Sequence, residues 1–389
     1  MKKRVVVGCM TAMLAGTVQA QSNVTLYGVI DEGLNFTNNA GGARLYSLSS
    51  GDVEGSRWGL KGTEDLGGGT SAIFQIENGF NVNNGKLGPE NQMFGRQAYV
   101  GLSNATSGTL TFGRQYDSLV DFVAPLTANG NWAGAMFSHP YDNDNTDNTF
   151  RLNNAVKFAS ANYGGFTFGG VYAFSNSTAF SDNRAWSLGM QYTTGGLTIA
   201  GAWLNVDRPN DGPIGAVANL GDAGADGSFT ADKQRVLGAG INYAFGATTL
   251  GFVYTHTYLS RPSSTVFASL SPSPTLGSAS ALKFDNFEVN AKYQFSPALY
   301  VGGMYTFTRA TYDGTSGVSV HPKYHQFGLM ADYNLSKRTD VYVQGVYTVV
   351  ANSGAVAGTG LDVASNPDIG NPSSNNKQVV ARLGIRHLF

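Results

Sequence analysis

The chain has 389 residues, only 13% of them charged, with a formal net charge of −1 and a mean hydropathy of −0.13. No run of about 18 apolar residues follows the first positions of the chain, which excludes a membrane protein built from helices. The mildly acidic balance, without a basic cluster, argues against nucleic-acid binding.

Lys2, Lys3 and Arg4 precede an apolar stretch from Val5 to Leu14, and Val18 and Ala20 precede a cleavage point at about Gln21. This pattern predicts a secretory signal over residues 1–20, too short to span a bilayer as a helix. Its removal takes away Cys9, the sole cysteine, and three cations, so the formal charge becomes −1 − 3 = −4. The mature chain can form no disulfide, and its stability must come from the fold. Residues 21–389 show no break in composition and read as one domain.

Two-residue alternation then recurs about every twenty residues, and the connections alternate between short and long. Short turns are expected near 64–69, 104–108, 162–165, 194–196, 245–247, 296–297 and 335–338. Long polar segments fall near 37–50, 83–92, 117–150, 176–184, 208–231, 260–281, 312–323 and 352–376. About sixteen strands separate them, with tight turns on one rim and long loops on the other. That asymmetry suits an all-β, antiparallel transmembrane β-barrel with short periplasmic turns and long extracellular loops.

The strands have two unlike faces. Leu237, Ala239, Ile241, Tyr243 and Phe245 oppose Gln234, Gly238, Gly240 and Asn242. Phe287, Val289, Ala291, Tyr293 and Phe295 oppose Asn286, Glu288, Asn290, Lys292 and Gln294. Polar groups on the inner face imply a wet lumen, since unpaired charges are costly in a dry core. Tyr243, Phe245, Tyr293, Phe295 and Tyr333 cluster beside short turns, where a periplasmic aromatic girdle belongs. In the last strand, Val379, Ala381, Leu383 and Ile385 keep step with His387 and Phe389, opposite Arg382 and Arg386. Ile385, His387 and Phe389 form the candidate outer-membrane assembly signal, for a barrel-assembly machinery to read.

Several long blocks carry a resemblance: Val24 to Asp31, Gly55 to Gly69, Phe94 to Leu102, Gly108 to Asp117 and Asn154 to Phe158, together with the terminal strand. In these the chain resembles the trimeric general-diffusion porins of Gram-negative bacteria, especially the betaproteobacterial branch. The resemblance implies a 16-stranded barrel, a homotrimer, and an inward-folded third loop, here residues 118–150, that constricts the pore. It also implies basic side chains on the wall facing acidic groups on that loop: Arg57, Arg96 and Arg151, with Lys61 and Lys157 nearby, against Asp121 and, behind it, Asp117. Periodicity independently points Arg57, Lys61, Arg151 and Lys157 into water, but does not choose a direction for Arg96. The Pro-Glu-Phe-Gly-Gly element common at the loop tip of relatives is replaced here by residues 129–134.

Arg114 keeps phase with Leu110 and Phe112, hence with the outer face, where a cation at the bilayer midplane would cost roughly 2–4 kcal/mol. It is expected in a trimer contact, paired with an acid such as Glu90 from a neighbour's second loop. Residues 142–147 have calcium-loop chemistry, but Asp147 stands in the glycine slot and Asn153 in the bidentate slot, so an EF-hand is rejected. The five histidines make no metal-ligand pair on a helix, and no serine sits in a nucleophile elbow, so no metal, cofactor or enzyme activity is expected. The expected function is passive diffusion of ions and small hydrophilic solutes, with a lean to anions. The expected surroundings are outer-membrane lipid and lipopolysaccharide. The alternatives are an anion- or dicarboxylate-selective pore and a non-conducting structural or adhesive barrel.

Overall fold

The computed structural model describes residues 23–88, 92–209, 215–217, 229–265, 268–368 and 371–389. The signal expected over 1–20 lies outside the described residues. Sixteen barrel strands follow one another in chain order. They are β1 Asn23–Ala40, β2 in two segments (Ala43–Ser50 and Arg57–Asp65), β3 Thr70–Gly79, β4 Gln97–Asn104, β5 Gly108–Gln115 and β6 Leu152–Ser160. Next come β7 Phe166–Ala173, β8 Arg184–Thr194, β9 Leu197–Asp207, β10 Lys233–Phe245 and β11 Thr248–Ser260. The series ends with β12 Ala279–Gln294, β13 Leu299–Gly314, β14 Lys323–Asn334, β15 Thr339–Ala351 and β16 Lys377–Leu388.

Each strand pairs antiparallel with its chain neighbours, and β1 pairs with β16 from Val29↔Leu388 to Thr37↔Val380, closing the barrel. The Gly28 and Phe389 backbones exchange both hydrogen bonds at 3.0 Å, so the terminal aromatic is clamped in the seam. Closure leaves no free sheet edge, as a membrane-spanning sheet requires. Alternation writes the two faces: on β10, Leu237 and Ile241 are 43% and 40% exposed, whereas Val236 is fully covered.

The first long loop, expected over 37–50, is mostly strand. β1 runs to Ala40, turns through Gly41 and Gly42 at φ +62° and +107°, and returns as the first segment of β2. Its Asn and Ser content reflects exposure beyond the bilayer, and a positive-φ glycine pair closes the hairpin. Between the two β2 segments, residues 51–56 leave the sheet.

The third loop, 116–151, folds into the barrel and lies along β8 to β14. Inward-facing glycines make room for it. A Cβ added at Gly189 would come within 2.3 Å of Phe122, at Gly302 within 2.4 Å of Trp132, and at Gly328 within 2.3 Å of Phe137. Leu119, Val123 and Leu126 join one apolar cluster with Leu204, Val236 and Val253, while Trp132, Met136 and Phe137 join another with Met304 and Met330. The wet lumen read from the inner faces is therefore dry on this side: Gly238, Gly240 and Asn242 lie under the loop, not in water.

Candidate functional site

Two polar anchors hold the third loop in place. At the seam, Arg382 is fully buried and its Nη2 lies 3.1 Å from Asp31 Oδ1, while its Nε donates to Tyr342 Oη at 2.7 Å. Beside it, the Asp52 backbone oxygen and Oδ1 accept from Ala135 N and Met136 N, both at 2.8 Å. Asp52 thus fixes the far end of the loop to the break in β2. Burial and the nearby Asp368 carboxylate push its carboxyl well above the usual range.

The second anchor lies against β11 and β12. His139 Nδ1 and Asp144 Oδ2 are 2.6 Å apart, His139 Nε2 and Glu288 Oε2 3.1 Å, and Ala128 N donates to Glu288 Oε1 at 2.7 Å. All three side chains are fully buried. Burial opposes a charge on His139, but the Asp144 carboxylate outweighs it, with Glu288 adding to the effect, and its pKa rises to about 10. The imidazolium between two carboxylates is a buried ion triad, strong only while complete.

With the loop pressed to one side, the remaining opening is a cavity of 630 Å³. On the wall it is lined by Arg57, Arg96, Arg151, Arg386 and Lys292, and on the loop by Asn129 to Trp132, by Gly134 and Ala135, and by Asp147. Glu77 serves two of these cations: Arg96 Nε lies 2.9 Å from its Oε1 and Arg57 Nε 3.6 Å from its Oε2. Arg57 also pairs with Glu54, whose other oxygen meets Arg386 at 3.1 Å. Arg151 differs: its guanidinium donates to Asn148 and Thr149 and lies 5.4 Å from the centre of the Tyr116 ring, all uncharged partners.

The structure brings together Arg57, Arg96 and Arg151 from the expected set. Lys61 lines a separate pocket with Thr25, Gln75 and Tyr99, its Nζ 5.2 Å from the Tyr27 ring centre. Lys157 ties the loop's root to β6, with Nζ 2.5 Å from Asp121 Oδ2 and donating to the Tyr116 carbonyl at 3.0 Å. Asp117 is buried, accepting from Leu119 N and Asn145 Nδ2 at 2.6 Å each, and burial raises its pKa to about 6. These three residues brace the loop rather than face the opening. The loop carboxylate on the cavity is Asp147, on the returning arm, pushed well up by burial and by Asp142 and Asp368.

Arg386, Lys292 and Glu54 are lining groups that the sequence reading did not select. Arg386 and Lys292 do alternate onto the inner face, so a signal was present; only closure sets them opposite Arg57. Arg114 keeps to the outer phase, paired in register with Ala98 of β4, while the pairing of β5 with β6 shifts between Gly113 and Gln115. It is 9% exposed, its Nε donating to the Gly95 carbonyl at 2.7 Å and its Nη1 to Asn153 at 2.5 Å. Glu90 lies outside the described residues.

Comparison with known proteins gives the same architecture. A family model for Gram-negative porins matches residues 7–354. The chain is 31% identical to an outer membrane porin protein of Bordetella pertussis, covering 89% of this chain and 94% of that one. It is 28% identical to outer membrane porin protein 32 of Delftia acidovorans over 96% of each. Among solved structures it is similar in fold to an anion-selective porin from Comamonas acidovorans, with TM-score 0.70 and 22% identity over 95% of this chain and all of the other. A trimer form of OmpT from Vibrio cholerae is also similar, with TM-score 0.65 and 15% identity over 95% of this chain and 99% of that one.

Proposed function

This chain belongs to the Gram-negative porin family and is an outer-membrane channel for passive diffusion, and from that premise we propose that its constriction favours anions and that it works as a homotrimer. The carrying observation is the charge on the cavity wall. On the lining itself five cations, Arg57, Arg96, Arg151, Lys292 and Arg386, face three carboxylates, Asp52, Glu54 and Asp147, while Glu77 behind Arg57 and Arg96, and Asp340 behind Arg386, are set back from the opening. Burial pushes Asp52 and Asp147 toward their neutral forms, which widens the imbalance. A ring of net positive charge in a narrow, low-dielectric passage raises the local concentration of anions and repels cations. The structural neighbour from Comamonas acidovorans is an anion-selective porin, in line with this reading.

Solutes pass between a fixed guanidinium array and a neutral loop tip whose backbone and amides, at Asn129 to Trp132, offer hydrogen bonds in place of charge. Lys61, Lys157, Asp117 and Asp121 support the passage from outside the narrowest point. Trimerisation would use the apolar outer face of β1 to β4 and β16, where Leu34, Leu48, Val100 and Leu383 are each at least half exposed in the single chain. Arg114 and Glu90 would sit in that contact. Ile385, His387 and Phe389 would present the terminal strand to the barrel-assembly machinery. The reading is of a channel and not an enzyme.

The test is the reversal potential in planar bilayers under a tenfold KCl gradient. An anion-signed potential supports the proposal; a cation-signed one overturns it and leaves the porin assignment intact.

A further inference from the structure

Three of the cations on the opening are held by carboxylates: Arg57 by Glu54 and Glu77, Arg96 by Glu77, and Arg386 by Glu54 and Asp340. A carboxylate fixes a guanidinium and cancels much of its field, so an ion in transit meets a dipole rather than a charge. Lys292 is held differently. It makes no ion pair among the described residues, and its Nζ stands over the Tyr300 ring, 5.1 Å from the centre.

The sheet shows why the lysine turns to this ring. Lys292 of β12 pairs directly with Gly302 of β13, which offers it no side chain. Tyr300 is the neighbouring inward residue of β13, on the diagonal, and diagonal neighbours lie within reach of aromatic and long side chains. The negative face of an aromatic ring attracts a cation and fixes its position, yet leaves the unit charge in place.

The same tyrosine grips the third loop. Its hydroxyl donates to the Trp132 carbonyl at 2.9 Å, with Asp332 Oδ2, directly across on β14, 3.4 Å away. Two residues on, Gly302 leaves the space that the Trp132 indole fills. Tyr300, Trp132 and Lys292 all line the opening. One side chain thus ties the loop tip to the wall through its oxygen and sets an uncompensated cation on the passage through its face.

We propose that Tyr300 is a positioning residue for ion selection, its ring holding Lys292 over the constriction. Moved from about 5 Å to about 8 Å from an ion's path, a charge in 0.1 M salt loses about half its effect. The inference rests on the reading of this cavity as an anion-favouring constriction. The sign of the parent's reversal potential tests that reading, whereas the differences among variants test this one.

Reversal potentials of the purified oligomer in planar bilayers under a KCl gradient are the readout. Tyr300→Leu should lower the anion-to-cation permeability ratio about twofold. Tyr300→Phe retains the ring and should retain the ratio, while single-channel current grows noisier because the Trp132 carbonyl has lost its donor. In a Lys292→Gln background, Tyr300→Leu should lower the ratio no further, because one residue acts through the other. Relative to Tyr300→Phe, fluorinated phenylalanines at position 300 keep the shape of the side chain and drain electron density from its face. The ratio should fall with each step of fluorination, which a merely structural role would not produce. Heat-modifiable mobility establishes folding, and the fluorinated series remains decisive where Tyr300→Leu fails to assemble. Equal losses in Tyr300→Phe and Tyr300→Leu overturn the proposal. So does an undiminished loss in the Lys292→Gln background, or a ratio indifferent to fluorination. A cation-signed parent whose ratio still tracked fluorination would contradict the anion preference and support the role of Tyr300.

Discussion

Arg151→Gln should turn the channel toward cations by a calculable amount. Arg151, like Lys292 over the Tyr300 ring, is a lining cation held by uncharged partners, here Asn148, Thr149 and the Tyr116 ring. Taking about 5 Å as an ion's closest approach, one unit charge in water is worth roughly 0.8 kcal/mol, cut to about 0.5 kcal/mol by screening at 0.1 M salt. Its loss penalises anions and relieves cations by equal amounts, a difference of about 1 kcal/mol. That corresponds to roughly a fivefold fall in the anion-to-cation permeability ratio. In 1 M salt, with a Debye length near 3 Å, the same change should shrink to less than about twofold. Reversal potentials under matched gradients at the two salt levels measure both values. Arg309→Gln removes an identical charge from the outer wall and should leave the ratio unchanged. If Arg151→Gln shifted nothing at low salt, or Arg309→Gln shifted it equally, the assignment of inner and outer faces would be refuted.

Other outcomes follow from the loop's anchors. His139→Ala strands Asp144 and Glu288 as buried, uncompensated carboxylates and should cost about 3–5 kcal/mol, read as protease cleavage within residues 118–150 and noisy conductance. Because the folded pKa of His139 is raised to about 10, the triad's contribution should persist through neutral pH and vanish as pH climbs past that value. Burial lifts Asp142 to about 7, with Asp144 adding to it, and Asp117 to about 6, so acidification should neutralise the loop and stabilise its docked state. Asp147, on the opening, is also pushed up by burial and by Asp142, so anion preference should strengthen as pH falls, and Asp147→Asn should flatten that dependence in reversal-potential measurements. Gly302→Val would drive a side chain into Trp132, 2.4 Å from where its Cβ must sit, and should destabilise the loop by about 1–3 kcal/mol, visible as altered single-channel conductance. Arg114→Glu should lower the temperature at which the oligomer dissociates in detergent, and mixing with a Glu90→Arg chain should restore it.

Strand identity was legible because a barrel wall between lipid and water imposes period two on every strand, and β10, β12 and β16 obey it almost without exception. The first hairpin was not, because above the bilayer both faces of a strand meet water and the alternation disappears. The constriction was half legible. Arg57 and Arg96 lie in motif-bearing blocks and Arg151 just precedes one, whereas Lys292 and Arg386 reach the same cavity only when strands far apart in the chain are brought round the barrel. The loop's path was written in inward glycines at 189, 302 and 328, which read in sequence only as small residues. Their meaning depends on Phe122, Trp132 and Phe137, which pattern alone does not assign to a wall. The acid on the opening was hidden for a related reason. Asp121 is nearer the loop's start, but Lys157 draws it aside, and the returning arm carries Asp147 to the cavity instead.

Single-channel recording of the purified protein in planar bilayers addresses the open, water-filled passage most directly. Stepwise conductance increments arriving in groups of three, abolished when the sample is boiled first, are the predicted result. A folded, heat-modifiable barrel that inserts and carries no current would contradict it.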